Sequence, residues 1–257
     1  MIKDENMQAV VLCAGKGRRL YPLTKDMPKS LLSLGEKTIL EHIIENLYAA
    51  GIDKIFLVTG YNRELIEDLM KNRKYSDIHF IVNEKFASTN TAFSLNLALR
   101  EIDSDFILIN GDVVFDKDIL LDLISHPEEN CVVVDKTVNL NEEEVKVIAL
   151  NGHIRRIGKE LDPGDCLGEA IGMNKISRGL IHKLSQVFDD LENKSEFHHF
   201  FEKGFDRVCE NNGRFGILLT DKAWIEIDTM EDFFNAQNNI YPKIDSRARF
   251  SHCMNKP

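Results

Sequence analysis

The chain predicts an α/β fold built on a mostly parallel central sheet flanked by helices, and three observations carry that prediction. Residues 9–13 form a continuous apolar run of strand length that stops abruptly at Gly15-Lys16-Gly17-Arg18-Arg19. From 54 to 82, strand-like and helix-like patterns alternate, and that order favours parallel strands joined by right-handed crossovers. Two later runs, Phe106–Asn110 and Cys131–Asp135, are almost wholly apolar, as strands covered on both faces are. Ligands of such sheets sit at the carboxyl ends of the strands.

Composition narrows the possibilities further. At 257 residues the chain can bury a sizeable core. One domain over 1–240 is expected, with 136–211 as an insertion within it and 241–257 as a tail. The formal charge of −10 argues against nucleic acid as a partner, because the cations cluster in one loop rather than over a surface. The five cysteines are odd in number and lack CxxC spacing, so they read as reduced thiols and not as a zinc site. Residues 1–6 carry no apolar signal core, and no run approaches the roughly 20 residues of a membrane span. The expectation is a cytoplasmic protein with no membrane partner.

The first strand and its loop set the chemistry. Two glycines let the backbone turn tightly and approach an anion, while Lys16, Arg18, Arg19 and Lys29 offer charge-assisted hydrogen bonds. The loop is a phosphate grip. It is not a P-loop, since no Gly-Lys-Ser/Thr follows, and the third glycine of the dinucleotide fingerprint is missing.

The remaining elements follow in order. Thr38-Ile-Leu-Glu41 is a capping box that opens a helix through Ala50, with Ile39, Ile43, Ile44 and Leu47 on one face. Residues 54–59 read as a strand, 63–70 as a helix and 79–82 as a third strand. Asn83 to Ala92 then enters a helix near Asn90, where free backbone N–H groups suit a nucleotide and where Thr89 or Asn90 also serves simply as an N-cap. The strand Phe106–Asn110 ends in Gly111-Asp112, which puts a carboxylate at the mouth of the sheet; magnesium on nucleotide phosphates takes one or two such ligands. Asp116 and Asp118 read as solvated charges at a helix start.

After Asp135 the texture changes. Residues 139–145 are acidic and loop-like, and 146–150 with 153–157 read as a hairpin turned by Asn151-Gly152. A strand is expected over 168–173, and amphipathic helices over 177–191 and 196–211. The second helix carries Phe197, Phe200, Phe201 and Phe205 as a core stripe, and the adjacent His198 and His199 diverge too far to share a metal. Closing strands over 214–219 and 223–227 lead to Asp228 and a capping box at Thr229 and Asp232. The tail after Asn239 shows little pattern.

The string from Gly15 through Pro22-Leu-Thr24 and Pro28-Lys-Ser-Leu-Leu32 resembles the signature of the nucleotidyltransferases that make sugar nucleotides and CDP-activated alcohols. Arg18-Arg19 stands where Thr-Arg or Ser-Arg is usual, and Thr89-Asn90-Thr91 where some relatives carry paired asparagines. The resemblance implies a Rossmann-like, nucleotide-diphospho-sugar transferase fold with a small hairpin and helical acceptor subdomain. Trp224-Ile-Glu-Ile-Asp-Thr229 resembles the family's second metal motif. By that resemblance Asp112 and Asp228 hold Mg²⁺, while Arg18, Lys29 and Asp112 are catalytic. Around the nucleotide it expects Leu12, Ala14, Gly15, Lys16, Gly17, Tyr61, Asn83, Thr89, Asn90, Thr91 and Gly111. Lys146 or Lys159 meets the acceptor's phosphate, and Glu169, Trp224 and Glu226 line the acceptor. The short length and Ile157-Gly-Lys-Glu-Leu161 look closest to cytidylyltransferases that use CTP and phosphocholine, aminoethylphosphonate or inositol phosphate. Two rivals are a sugar-1-phosphate enzyme using UTP, dTTP or GTP and a non-catalytic nucleotide-binding relative. A homodimer through 136–211 is expected by analogy.

Overall fold

The computed structural model describes residues 7–73, 75–196 and 198–245. The readings made on residues 1–6, on Phe197, on Cys253 and on 246–257 of the tail lie outside them.

A nine-stranded mixed sheet runs through the described residues. Its first half consists of β1 (Gln8–Leu12), β2 (Ile55–Thr59), β3 (Ile78–Val82) and β4 (Phe106–Asn110), all parallel in the order β3-β2-β1-β4. Crossover helices α1 (Ile39–Ala49), α2 (Arg63–Arg73) and α3 (Thr91–Leu99) join them. Period-two side-chain alternation divides the core between the two faces. Ala9, Val11, Ile107 and Ile109 pack with Ile39, Ile43 and Leu47 of α1, whereas Val10, Leu12 and Leu108 pack with Leu95 of α3 on the other face. The predicted box on α1 is present, with Thr38 and Glu41 bonding each other's backbone N–H groups.

Chain order then continues through β5 (Val113–Phe115), α4 (Lys117–Ser125), β6 (Cys131–Asp135), β7 (Lys146–Leu150), β8 (His153–Gly158), β9 (Gly168–Ile176), α5 (Arg178–Asn193), α6 (Glu202–Glu210), β10 (Gly216–Thr220), β11 (Trp224–Glu226) and α7 (Met230–Asn235). The sheet extends from β4 as β9-β6-β10-β8-β7, and β7 also pairs back onto β9, which shields what would be an open edge. Asn151 and Gly152 both have positive φ (52° and 77°), as the two-residue turn of the β7–β8 hairpin requires. β5 and β11 form a separate antiparallel ladder with Glu226 opposite Val113. That ladder brings the end of the chain to the mouth of β4.

Four readings are corrected. The helix expected from 196 starts at Glu202, because 198–201 spend their backbone on the start of α3: the Phe201 N–H donates to Thr91 Oγ1 at 3.0 Å and the Ala92 N–H to the His199 carbonyl at 3.2 Å. Phe201 and Phe205 are buried, but Phe200 is exposed and leaves the core stripe. Asp116 is buried as the N-cap of α4, accepting from the Asp118 N–H at 3.1 Å, so only Asp118 is the solvated charge. Beyond Asn239 the chain stays helical to 245; Ile244 is buried and the Tyr241 ring lies 5.8 Å from His42. No helix among the described residues is long and apolar enough to cross a membrane.

Candidate active site

The site opens where β1 and β4 end side by side. Leu12 pairs with Asn110, and the Gly111 N–H donates to the Leu12 carbonyl at 3.0 Å. A side chain at Gly111 would come within 2.6 Å of Cys13 Sγ and 2.7 Å of the Leu12 carbonyl oxygen, so only glycine lets the two strand ends close. Gly17 adopts φ +59°, and a Cβ there would lie 3.0 Å from Lys29 Cβ. The loop therefore wraps Lys29 and aims it inward.

Asp112, Glu226 and Asp228 each present a carboxylate oxygen within 4.8 Å of the others. The β5–β11 ladder does this, since the Ile227 N–H donates to the Asp112 carbonyl at 3.0 Å just beyond the Glu226 pair. Asp228 is then fixed by the turn after it: its N–H and that of Thr229 both donate to Asp232 Oδ2, at 3.1 and 2.7 Å. Lys29 Nζ bridges Asp112 Oδ2 (2.5 Å) and Asp228 Oδ1 (2.6 Å), and Arg19 reaches Asp228 Oδ2 at 2.5 Å.

These groups shift one another. Burial alone would lower Lys29, but Asp112, Asp228 and Glu226 outweigh it and hold the ammonium charged. Asp228 is half-buried, which alone would raise it, yet Lys29 and Arg19 pull its carboxyl below the usual range. Glu226 goes the other way: burial first, then Asp112 and Asp228, push it well above an ordinary carboxyl. The three carboxyl groups still outnumber the two cations paired with them, Lys29 and Arg19. Asp112 Oδ1 is in addition buried with no hydrogen-bond partner. Hard oxygen donors in excess of cations, one of them orphaned, fit a divalent metal ion.

One cavity joins these groups to Ala14, Gly15 and Gly17 on one side and to Lys159 and Phe200 on the other. Leu12, Asn83, Thr89, Asn90, Thr91 and Gly111, the residues expected around a nucleotide, also line it. Most of the polar side chains among them are already engaged. Asn83 donates to Thr89 Oγ1 (3.1 Å) and Ser94 Oγ (3.0 Å), Asn90 Oδ1 accepts from the Thr91 N–H, and Thr91 Oγ1 accepts from Phe201. They hold the wall in shape.

Five expected roles change. Arg18 is exposed, forms no ion pair among the described residues and lies outside the cavity wall; Arg19 takes its place beside Asp228. Lys16 and Tyr61 also fall outside that wall, because Lys16 packs over the Tyr61 ring at 5.2 Å while the Tyr61 hydroxyl donates to the Lys25 carbonyl. Lys146 is buried and donates to the carbonyls of Asn141 (2.7 Å) and Glu144 (3.2 Å), so it pins the acidic loop and has no place at the acceptor. Glu226 stands in the carboxylate cluster with Asp112 and Asp228. Glu169 and Trp224 line a second hollow beyond Asp228; burial, then Glu144 and Asp135, raise Glu169 to about 7, and the Trp224 indole N–H donates to Asp135 at 2.8 Å.

Glu143, Phe200 and Glu202 line the cavity without having been expected there, and Arg19, named only among the cations of the phosphate grip, lines it beside Asp228. A signal existed for Arg19, which occupies the arginine position of the usual Thr-Arg pair. None existed for the others, which reach the cavity only through tertiary contacts.

The Nucleotidyl transferase family model matches residues 8–151. The chain is 31% identical over 250 residues to a CTP:phosphoglutamine cytidylyltransferase of Campylobacter jejuni, covering 88% of this chain and 97% of that protein. It is 34% identical over 248 residues to a bifunctional protein GlmU of Methanococcus vannielii, covering 93% of this chain but only 57% of that protein's length. Among solved structures, the CTP:phosphocholine cytidylyltransferase of Streptococcus pneumoniae superposes with a TM-score of 0.75 at 21% identity, over 90% of this chain and 98% of the other. That likeness is one of fold.

Proposed function

Since this chain belongs to the nucleotidyl transferase family, we propose that it is a Mg²⁺-dependent cytidylyltransferase, moving CMP from CTP to a small phosphomonoester or phosphonate and releasing pyrophosphate. The observation that carries this reading is the convergence of Asp112, Glu226 and Asp228 with Lys29 and Arg19 beside the Gly15–Gly17 turn. The lean to CTP rests on the cytidylyltransferase relatives.

In the proposed reaction an anionic oxygen of the acceptor attacks the α-phosphorus, and the bond from that phosphorus to the bridging oxygen of the β-phosphate breaks in line. That oxygen is ionised at neutral pH, so no side chain need remove a proton. The protein's task is to align two anions that repel each other and to stabilise the charge on departing pyrophosphate. Backbone N–H groups of the Gly15–Gly17 turn and the Arg19 guanidinium receive the β- and γ-phosphates, Lys29 faces the reacting phosphorus, and Lys159 holds the acceptor's phosphate. Asp112, Glu226 and Asp228 would hold the magnesium ion, which when bound would supply Lewis-acid neutralisation of phosphate charge.

The match to the GlmU proteins favours a second reading, a sugar-1-phosphate nucleotidyltransferase using UTP, dTTP or GTP. Pyrophosphate release measured with each nucleoside triphosphate against phosphorylated alcohols, phosphonates and sugar 1-phosphates separates the two. Turnover with CTP and a small phosphorylated alcohol or phosphonate supports the first; turnover only with another triphosphate and a sugar phosphate replaces it with the second. Tight nucleotide binding without turnover of any pair points to a non-catalytic relative.

A further inference from the structure

Glu202 lies in the cavity wall but has no part in the reaction as described. It is 6% exposed, opens α6, and its Oε2 is buried with no hydrogen-bond partner. A buried acceptor atom left unmatched is costly and calls for an explanation. Two cavity groups act on its charge: Lys159, which favours it, and Asp112, which opposes it. The carboxyl thus shares one cavity with the lysine assigned to the acceptor's phosphate and with Asp112. Lys159 does not neutralise it by an ion pair, since none is formed among the described residues; the ammonium rests instead 4.7 Å from the centroid of the Phe200 ring. Phe200 lies in the segment that abandons helix to bond the start of α3, and Glu202 follows it as the first residue of α6, so that departure is what delivers both to the cavity.

Resting on the transferase reading above, we propose that Glu202 is a specificity-determining residue that accepts a hydrogen bond from an N–H or O–H group on the organic part of the acceptor, one short chain away from the phosphate held by Lys159. The nucleotide is not its target, for its neighbouring cation is the acceptor lysine and not the Gly15–Gly17 turn. A site built around a buried hydrogen-bonding group rejects analogues that lack the complement, because the protein atom is then left unpaired.

Three phosphomonoesters of equal reach test this: 2-aminoethyl phosphate, 2-hydroxyethyl phosphate and ethyl phosphate. Their binding to the full chain with Mg²⁺ and CTP is measured by calorimetry, for wild type and for Glu202→Gln, with pyrophosphate release followed in the same mixtures. Wild type is expected to bind one of the donor-bearing esters about tenfold to a hundredfold more tightly than ethyl phosphate. Which donor wins distinguishes an ammonium from a hydroxyl. Glu202→Gln should lose most of that preference while its affinity for CTP stays within about twofold. Equal binding of all three esters by wild type overturns the proposal, as does a preference that survives in Glu202→Gln or a variant whose main loss is CTP affinity. Preference without pyrophosphate release would instead refute the transferase reading and leave the role of Glu202 in place.

Discussion

Two adjacent arginines with the same chemistry have different fates here, and mutation should separate them. Arg19→Ala is expected to lower kcat/KM about a hundredfold, since it removes a cation aimed at developing phosphate charge, whereas Arg18→Ala stays within about twofold of wild type. Pyrophosphate release under limiting triphosphate reads both. Asp112→Asn keeps the shape of the side chain but deletes a charged oxygen donor, and should cost at least about a thousandfold with the fold intact by circular dichroism. Glu202 supplies a pH signature of its own. Burial raises its carboxyl from 4.5 to about 7, so the folded chain holds that proton longer than the unfolded chain does. The cost of ionising it therefore grows as pH rises through that interval and is constant above it. Glu202→Gln, which cannot ionise, should gain thermal stability over wild type between pH 4.5 and 7 and keep the advantage at pH 8. Melting curves that run parallel across this range would show that the carboxyl does not titrate there.

At the scale of elements, two identical caps do different work. Thr38 and Thr229 each close a capping box, one at the start of α1 and one at the start of α7. Loss of either hydroxyl should cost about 1 kcal/mol and lower the melting temperature by about 2–4 °C. Only the second box also fixes a carboxylate of the cluster, because Asp232 accepts from the Asp228 N–H as well as from Thr229. Thr38→Ala should consequently keep its turnover, and Thr229→Ala should lose about tenfold through misplacement of Asp228. Both boxes were legible in the sequence, as were the parallel strands and the Asn151-Gly152 turn, since each is set by residues within a few positions of one another. The start of α6 was not. Residues 198–201 have helical spacing, but Thr91 and Ala92, more than a hundred positions away, compete for their backbone groups and win.

For the molecule as a whole, the site gathers side chains from β1's loop, the turn at Lys29, the end of β4, the hairpin, α6 and the last strand. Binding there should stabilise the fold by linkage. Saturating Mg²⁺ with CTP, at about a hundred times the dissociation constant, is expected to add about 2.7 kcal/mol and raise the melting temperature by roughly 5–10 °C. Either component alone should do less, because the carboxylates repel an unaccompanied triphosphate while the metal alone must displace Lys29. A thermal-shift titration of each alone and of both together measures this coupling.

From the sequence alone came the alternation of strands and helices, the glycine-shaped loop after β1 and the carboxylates at the ends of strands, because strand pattern, turn chemistry and capping are local. Tertiary structure alone decided which cations face those carboxylates, that Glu226 joins Asp112 and Asp228, that Lys146 serves a loop, and that Phe200 and Glu202 reach the cavity. The reason is physical: a charge is placed by the partners that surround it in space, and here those partners lie up to 209 positions apart in the chain, as Arg19 and Asp228 do.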